Sequence, residues 1–216
     1  IQKADTNAQV VDFADVVFLA VKPQFLEEVL DEIKDNVKEG QIFISIAPGK
    51  TLQWLGEHLG EGTKIIRTMP NTPAMVGEGM TALCVNDLVT EEETALAVKL
   101  CNTFGKSEVI PEHLMDAVVG VSGSSPAYVF MFLEAMADAA VADGMPRAQA
   151  YKFAAQAVLG SAKLMLETGK HPGELKDMVC SPAGTTIQAV RVLEEKGLRS
   201  AVIEAQLECV KKAKGM

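Results

Sequence analysis

The segment Cys180–Thr186 (CSPAGTT) combines residue types that can bind an anion, directly before the amphipathic run Ile187–Lys196. Its serine–proline pair, Ser181 and Pro182, predicts that a helix begins here with the serine as N-cap. The alanine and glycine that follow leave backbone N–H groups uncovered, and two threonines add hydroxyl donors at the positive end of the helix dipole. Such an end favours a carboxylate or a phosphate. A capped helix with a tight glycine contact is the alternative.

The uninterrupted apolar run Val16–Val21 predicts a strand buried on both faces of a sheet. Two further strands are predicted at Ile42–Ile46 and Lys64–Met69. Helical spacing from Phe25 to Gly40, and a short helix capped by Thr51, separate these runs and predict parallel strands joined by right-handed crossovers. Ligands bind beyond the carboxyl ends of such strands. Proline-containing turns follow each strand there: Ala20–Gln24, Ile46–Gly49 and Thr68–Pro73. Further strands, Met80–Val85 and Ser107–Ile110, flank a helix predicted near Glu91–Thr103.

From Leu114 onward the sequence predicts helices only. One helix begins at Ser124 or Ser125 and runs to Gly144, and it is apolar nearly all round, so every side of it must be covered. Pro146 opens a second helix that runs to about Thr168 and is rich in small residues. One thin helical domain cannot easily bury both helices. We therefore expect an interlocked homodimer, with a compact monomeric bundle as the alternative.

Composition excludes several function classes. The 216 residues carry a net charge of −9, which argues against a nucleic-acid surface. The four cysteines and three histidines are scattered without the spacing of metal ligands, so no metal site is expected. We expect the cysteines to be reduced thiols in a cytoplasmic protein. The apolar stretch Ala127–Ala142 is interrupted by Glu134 and Asp138, and we expect that it does not span a membrane.

The segment His171–Glu194, which contains the CSPAGTT run, resembles the signature segment of pyrroline-5-carboxylate reductases. Other pieces similar to that family occur in the expected order along nearly the whole chain: Ala20–Gln24, Met69–Pro73, Gly123–Tyr128 and Gly144–Arg147. The resemblance implies an α/β fold, in which a partial Rossmann-type parallel sheet domain precedes an all-α dimerisation domain. It places the dinucleotide-binding domain in residues 1–111 and the helical dimerisation and substrate-binding domain in residues 112–216.

The resemblance also implies an activity, a cofactor and site residues. The reaction is hydride transfer from NADPH or NADH to 1-pyrroline-5-carboxylate, which gives L-proline in the last step of proline biosynthesis. Cofactor contacts are expected at these positions: Asn7, Ala20, Val21, Lys22, Pro23, Ile46, Ala47, Pro48 and Glu112. For Lys22 the alternative is a solvated turn lysine, and for Glu112 it is a solvated glutamate. Met178 stands where some members have a polar residue, so any side-chain bond to cofactor there is lost.

Substrate contacts are expected in the loop before the late helix: Val179, Ser181, Gly184, Thr185 and Thr186. The cofactor carries the hydride and the protein mainly orients the reactants. The hydroxyl of Thr186 is the candidate catalytic group, as a neutral donor to the ring nitrogen of the imine. The resemblance extends to a dimer whose partner subunit closes the site, and to a ring of dimers in some relatives.

The sequence departs from the family in one respect. No G-x-G-x-x-G segment is present, and the chain opens at Ile1 without a methionine, so we expect a fragment that binds dinucleotide poorly or is inactive. The sequence does not indicate whether NADP is preferred over NAD. Two alternatives are a β-hydroxyacid dehydrogenase and a non-enzymatic oligomerisation module. The first needs a helix lysine as acid/base, and the corresponding helix, Ala127–Gly144, has none.

Overall fold

The computed structural model describes residues 1–215, and it divides them into two compact units. The first unit comprises Ile1–Pro126 together with the residues from Cys209 onward, and the second comprises Ala127–Glu208. Strands occur in the first unit, whereas the second unit is helical throughout. The predicted α/β fold followed by a helical region is confirmed.

The first unit is built on a five-stranded sheet in the order β1-β2-β3-β4-β5. Its strands are β1 (Val16–Leu19), β2 (Ile42–Ser45), β3 (Lys64–Met69), β4 (Gly79–Val85) and β5 (Gly105–Val109). The first three strands are parallel, as predicted. The fourth runs antiparallel to β3, and β5 runs parallel to β4. Because only a short 3₁₀ segment, Thr72–Val76, connects β3 to β4, the chain cannot make a crossover there and must turn back.

Helices cover both faces of the sheet. The first helices are α1 (Asn7–Phe13), α2 (Pro23–Ile33), α3 (Leu52–Leu59) and α4 (Glu91–Cys101). On one face Leu26, Leu30 and Leu55 pack with Phe43, and on the other face Ala97 of α4 packs with Ile and Leu side chains of β2, β3 and β4. A strand covered on both faces is expected to be apolar. Residues Ile42–Ile44 of β2 fit this expectation, whereas Ser45 at the end of the strand buries a hydroxyl group.

Helix boundaries match the sequence signals in part. Thr51 caps α3 as predicted, because its side chain accepts from the amide of Trp54. The helix predicted to run to Gly40 ends at Ile33 and continues as the 3₁₀ turn Lys34–Asn36. The helix α1 was not predicted from its polar sequence; it begins after Thr6, whose side chain accepts from the amide of Gln9.

The remaining helices follow a short 3₁₀ turn, Glu112–Leu114. They are α5 (Met115–Val118), α6 (Ser125–Ala142), α7 (Arg147–Thr168), α8 (Pro172–Val179), α9 (Thr185–Glu195) and α10 (Leu198–Ala213). A π-helical turn, Val119–Gly123, joins α5 to α6. The start of α6 at Ser125 and the extent of α7 confirm the predictions.

The second unit buries little of its apolar surface within one chain. Its buried residues are Ala137, Ala150 and Ala154, whereas Phe130 is 61% exposed and Phe153 is 67% exposed. Within residues 1–215, one helical stretch, Glu112–Ala142, is long and apolar enough to cross a membrane by length and composition alone. Core helices of soluble proteins pass the same criterion. That this stretch does not span a membrane stays a prediction.

Candidate active site

The first two predicted cofactor turns lie side by side. The amide of Ile46 donates to the carbonyl of Leu19 at 3.3 Å, so the pairing of β1 with β2 continues to the point where both turns begin. Ala20 is exposed there, and Pro23 begins α2 directly after Lys22, whose side chain makes no capping bond. Small side chains and a proline without an N–H therefore leave backbone open at this edge of the sheet.

The turn after β2 is fixed from below by buried hydroxyl groups. Ser45 is completely buried, and its Oγ accepts from the amide of Ala47 at 3.3 Å. The hydroxyl of Thr68 on the neighbouring strand donates to the carbonyl of Ser45 at 3.0 Å. Ala47 is buried in the core, whereas Pro48 and Gly49 are exposed. The start of the turn is thus fixed by hydrogen bonds, while Pro48 and Gly49 remain exposed.

Asn7 lies beside the first of these turns. It lines a small cavity together with Ala20 and Val21. Its amide nitrogen donates to Glu32 at 2.7 Å and its backbone N–H donates to the same carboxylate at 3.1 Å. Glu32 on α2 therefore holds both the side chain and the backbone of Asn7 at the edge where the first turn begins.

Glu112 is tied into the sheet rather than solvated freely. Its Oε1 accepts from Nη1 of Arg67 at 2.9 Å and from the backbone N–H of Leu52 at 2.7 Å. Leu52 is the first residue of α3, which directly follows the second turn. A cavity of about 430 Å³ opens beside this contact, and Gly49 and Thr51 line it. Glu112 thus lies next to the predicted cofactor turn, with one carboxylate oxygen already engaged.

The third turn is closed by its own asparagine. The Oδ1 of Asn71 accepts from the amide of Met80 at 2.8 Å, and its Nδ2 donates to the carbonyl of Ser122 at 3.1 Å. These two bonds join the end of β3 to the start of β4 and to the π-helical turn. Neither bond was predicted, because Asn71 reads in the sequence as an ordinary turn residue.

In the second unit, the helix after the CSPAGTT segment begins later than predicted. Gly184 is the N-cap of α9, so the assignment of Ser181 as N-cap and of Pro182 as first helical residue was wrong. The cause is local: the amide of Gly184 donates to the carbonyl of Ser181 at 3.0 Å and closes a turn, and Ala183 has a φ of 58°. A left-handed residue cannot continue a helix, so the chain enters α9 only after it.

The later start leaves the helix end open to an anion. Gly184 provides no side chain for capping, so the first amides of α9 receive no side-chain bond from the N-cap. Thr185 and Thr186 occupy the first two helical positions, and Thr186 is half-buried. A Cβ on Gly184 would lie 2.4 Å from Oγ of Ser181, so only glycine lets the serine side chain fold over this position. Val179, at the end of α8, is exposed.

Comparison with known proteins identifies the family. Residues 112–216 match the model described as pyrroline-5-carboxylate reductase dimerisation, and residues 2–49 match the NADP oxidoreductase coenzyme F420-dependent model. Pyrroline-5-carboxylate reductase of Escherichia coli strain K12 is 60% identical over 213 residues, which are 99% of this chain and 79% of that protein. The chain belongs to the pyrroline-5-carboxylate reductase family.

Solved structures of the family agree with the fold. The pyrroline-5-carboxylate reductase from Coxiella burnetii superposes with a TM-score of 0.94 at 37% identity, over 100% of this chain and 80% of that one. The Plasmodium falciparum pyrroline carboxylate reductase, solved with NADP bound, gives a TM-score of 0.90 at 31% identity, over 98% and 80% of the two chains. Family membership sets aside the β-hydroxyacid dehydrogenase and the oligomerisation module.

The predicted site residues of this reductase fall into two groups, each assembled within one unit. Asn7, the turn Ala20–Pro23, the turn Ile46–Pro48 and Glu112 lie in the first unit, and Val179–Thr186 lies in the second. Within residues 1–215 the structure contains no group of three His, Cys, Asp or Glu side chains placed to hold a metal ion.

Sequence reasoning missed the polar groups beneath the first site. Arg67, Thr68 and Ser45 are buried inside strands that otherwise read as apolar. Cys84, opposite Arg67 in the sheet, is also buried; burial, followed by the charge of Glu112, raises the pKa of its thiol to about 12 despite the opposing effect of Arg67. The thiol is therefore protonated at neutral pH and is not a nucleophile here. A charged residue in an apolar strand is the signal that could have revealed Arg67.

Proposed function

We propose that this protein reduces the C=N bond of 1-pyrroline-5-carboxylate to give L-proline, the final step of proline biosynthesis, with NADPH or NADH as the hydride donor. The observation that carries this proposal is family membership at 60% identity over 99% of the chain. The open first turn of α9 supports it independently, because the substrate is a small carboxylate and that turn presents donors to an anion.

The substrate carboxylate binds at the first turn of α9. Backbone N–H groups after Gly184 and the hydroxyl of Thr185 donate to it, and the positive end of the helix dipole favours its charge. Ser181 and the backbone at Val179 complete the loop around it. Because the turn at Ser181–Gly184 is closed by a hydrogen bond, these donors are held in place before the substrate arrives.

Thr186 is the proposed catalytic residue. It lies one position further into α9 than Thr185. We propose that its hydroxyl donates to the ring nitrogen while the carboxylate occupies the helix end. A hydrogen bond to that nitrogen makes the C=N carbon a better hydride acceptor. None of the five proposed substrate residues is His, Asp or Glu, so the proton that the ring nitrogen gains as hydride adds to carbon comes from water.

The residues at the sheet edge fit a dinucleotide. Ala20, Pro23 and Pro48 offer small or flat surfaces, and the backbone of both turns is fixed by the pairing of β1 with β2 and by Ser45. Asn7, held by Glu32, contributes an amide to the same edge. Val21, Lys22, Ile46, Ala47 and Glu112 complete the proposed set. Bound at this edge, the nicotinamide supplies the hydride. The NADP bound by the Plasmodium falciparum relative supports NADPH.

We assign the cofactor-binding domain to residues 1–111 and the dimerisation and substrate-binding domain to residues 112–216, whose first residue, Glu112, also belongs to the proposed cofactor set. The match of residues 112–216 to a dimerisation model, and the large exposed apolar side chains of α6 and α7, support a homodimer. We propose that the partner subunit, not a membrane, covers these helices, that dimers assemble further into a ring, and that the protein is cytoplasmic and binds no nucleic acid.

The proposed activity is tested by following NADPH absorbance with purified protein and 1-pyrroline-5-carboxylate. Oxidation of NADPH that depends on the imino acid, with L-proline as the product, is the expected result. A matched reaction with 1-pyrroline, which lacks the carboxylate, should have a KM at least about tenfold higher, because one charged hydrogen-bonding group is worth about 1.5–3 kcal/mol. Absence of proline under saturating conditions contradicts the proposed activity of this chain and agrees with the expectation, drawn from the missing G-x-G-x-x-G segment, that the chain is inactive.

A further inference from the structure

Arg67 is a cation buried within the sheet of the first unit. It lies on β3, and only 8% of its side chain is exposed. Its neighbours across the sheet, Ser45 on β2 and Cys84 on β4, carry no charge. A buried guanidinium needs a carboxylate partner, and Glu112 provides it at 2.9 Å.

Glu112 connects Arg67 to the start of helix α3. The same oxygen, Oε1, accepts from Nη1 of Arg67 and from the backbone N–H of Leu52. Leu52 is the first residue of α3, and its N–H is one of those that a helix cannot satisfy internally. The side chain of Thr51 satisfies the amide of Trp54 in the same turn. Glu112 therefore fixes the start of α3 only while its carboxylate stays in place.

The start of α3 is also the end of the second cofactor turn. At its beginning this turn is fixed by Ser45, which accepts from Ala47. At its far end, Gly49 has a positive φ of 76°, and Lys50 and Thr51 lead into the helix. Without the bond at Leu52, the far end of the turn would lose a hydrogen bond and keep only the Thr51 cap and the packing of Leu52 and Leu55. Arg67 and Glu112 thus add a constraint on where Pro48 and Gly49 lie relative to the sheet edge.

We propose that Arg67 is a positioning residue for dinucleotide binding: by holding Glu112 against the first amide of α3, it fixes the turn Ile46–Gly49 in the position that the cofactor requires. Arg67 acts through Glu112 and does not touch the cofactor. The proposal rests on the proposed function, because it takes this turn to be a cofactor contact. Lys cannot fully replace Arg67, because its shorter side chain and compact ammonium group do not reproduce the reach and planar geometry of the guanidinium.

The test compares steady-state kinetics of the protein and its variants Arg67→Met, Arg67→Lys and Glu112→Gln, with NADPH and the imino acid varied separately. Arg67→Met should raise KM for NADPH about tenfold and leave KM for the imino acid within about twofold. Arg67→Lys should recover part of the loss. Glu112→Gln should give an intermediate increase, because its amide oxygen still accepts from Leu52.

Lys64→Met is the matched control, since it removes another cation from β3 that is paired with Glu93 on α4. It should leave KM for NADPH unchanged. A merely structural role for Arg67 would lower the melting temperature and the active fraction without separating the two KM values, and that result overturns the proposal. If Arg67→Met does not fold, Arg67→Lys and Glu112→Gln test the proposal by the same criterion, a higher KM for NADPH with an unchanged KM for the imino acid. If the unsubstituted protein does not oxidise NADPH, the proposed function itself fails.

Discussion

The backbone N–H of Ile46 donates to the carbonyl of Leu19 at 3.3 Å, one residue after β2 ends. This bond makes two turns that are far apart in the sequence into one continuous surface. Because Ser45 and Thr68 fix the same strand end from inside the sheet, the surface is preorganised. Preorganisation matters for a dinucleotide site, since a ligand binds more tightly when the backbone beneath it does not need to be ordered on binding.

Thr186→Val tests the proposed donor to the ring nitrogen. Valine keeps the shape of threonine and removes the hydroxyl, so kcat/KM for the imino acid should fall about tenfold, which corresponds to about 1.4 kcal/mol. The control is Thr168→Val at the end of α7, where the hydroxyl donates to the carbonyl of Leu164 outside the site. An unchanged kcat/KM in the Thr186 variant removes this residue from the mechanism.

Gly184→Ala tests the shape of the loop before α9. The new Cβ would lie 2.4 Å from Oγ and 3.1 Å from the carbonyl oxygen of Ser181, so the turn must shift. KM for the imino acid should rise about tenfold, while KM for NADPH stays the same. Gly56→Ala on α3 is the matched control, because the nearest atom to its Cβ position is Cδ1 of Ile65 at 3.8 Å and alanine favours a helix. If both variants had the same KM for the imino acid, the shape of this loop would not matter for substrate binding.

Thiol reactivity should separate the buried cysteines from the others. Burial raises the pKa of Cys101, and that of Cys84 to about 12, so neither thiol should react with iodoacetamide in the native protein at neutral pH. Both should react once the protein is unfolded in guanidinium. Mass spectrometry of tryptic peptides reads this directly, and rapid native labelling at Cys84 would contradict its place beneath Arg67.

Acid should weaken the contact between β3 and α4. The hydrogen bond from Lys64, followed by that from the amide of Thr90, lowers the pKa of Glu93. A carboxyl group whose pKa is lower in the folded state stabilises the fold above its unfolded pKa, and this contribution is lost as the pH falls through the folded value. The melting temperature of Glu93→Gln should therefore lie below that of the unsubstituted protein at about pH 7, and the gap should close towards about pH 3. A constant gap would contradict the pairing.

The helical unit should not remain stable as a single copy. Phe130 and Phe153 are exposed in one chain, and each buries well over 100 Å² when covered, so a charge at either position opposes association. Light scattering at micromolar concentration should give at least a dimer, and Phe130→Asp should shift it to monomer or aggregate. Phe13→Asp, at a phenylalanine of the first unit that is 84% exposed, should leave the dimer intact. A monomeric unsubstituted protein contradicts the proposed assembly.

Apolar runs were sufficient to predict the parallel strands and α6, and the start signals at Thr51 and Pro146 were sufficient to predict α3 and α7. The direction of β4 was not predictable in this way, since it depends on the length of the connection after β3. The start of α9 was misassigned because a serine followed by a proline is compatible both with a helix cap and with a turn. The chain forms the turn, in which Ala183 has a left-handed conformation. The pairing of Arg67 with Glu112 joins residues 45 positions apart, and no local pattern specifies such a partner.

The central claim is that the first turn of α9 binds the acid group of the substrate. A crystal structure with L-proline bound tests it most directly. We expect both carboxylate oxygens within hydrogen-bond distance of donors in Ser181–Thr186, with the ring nitrogen near the hydroxyl of Thr186. Well-defined density for L-proline with its carboxylate bound to other residues would contradict the account.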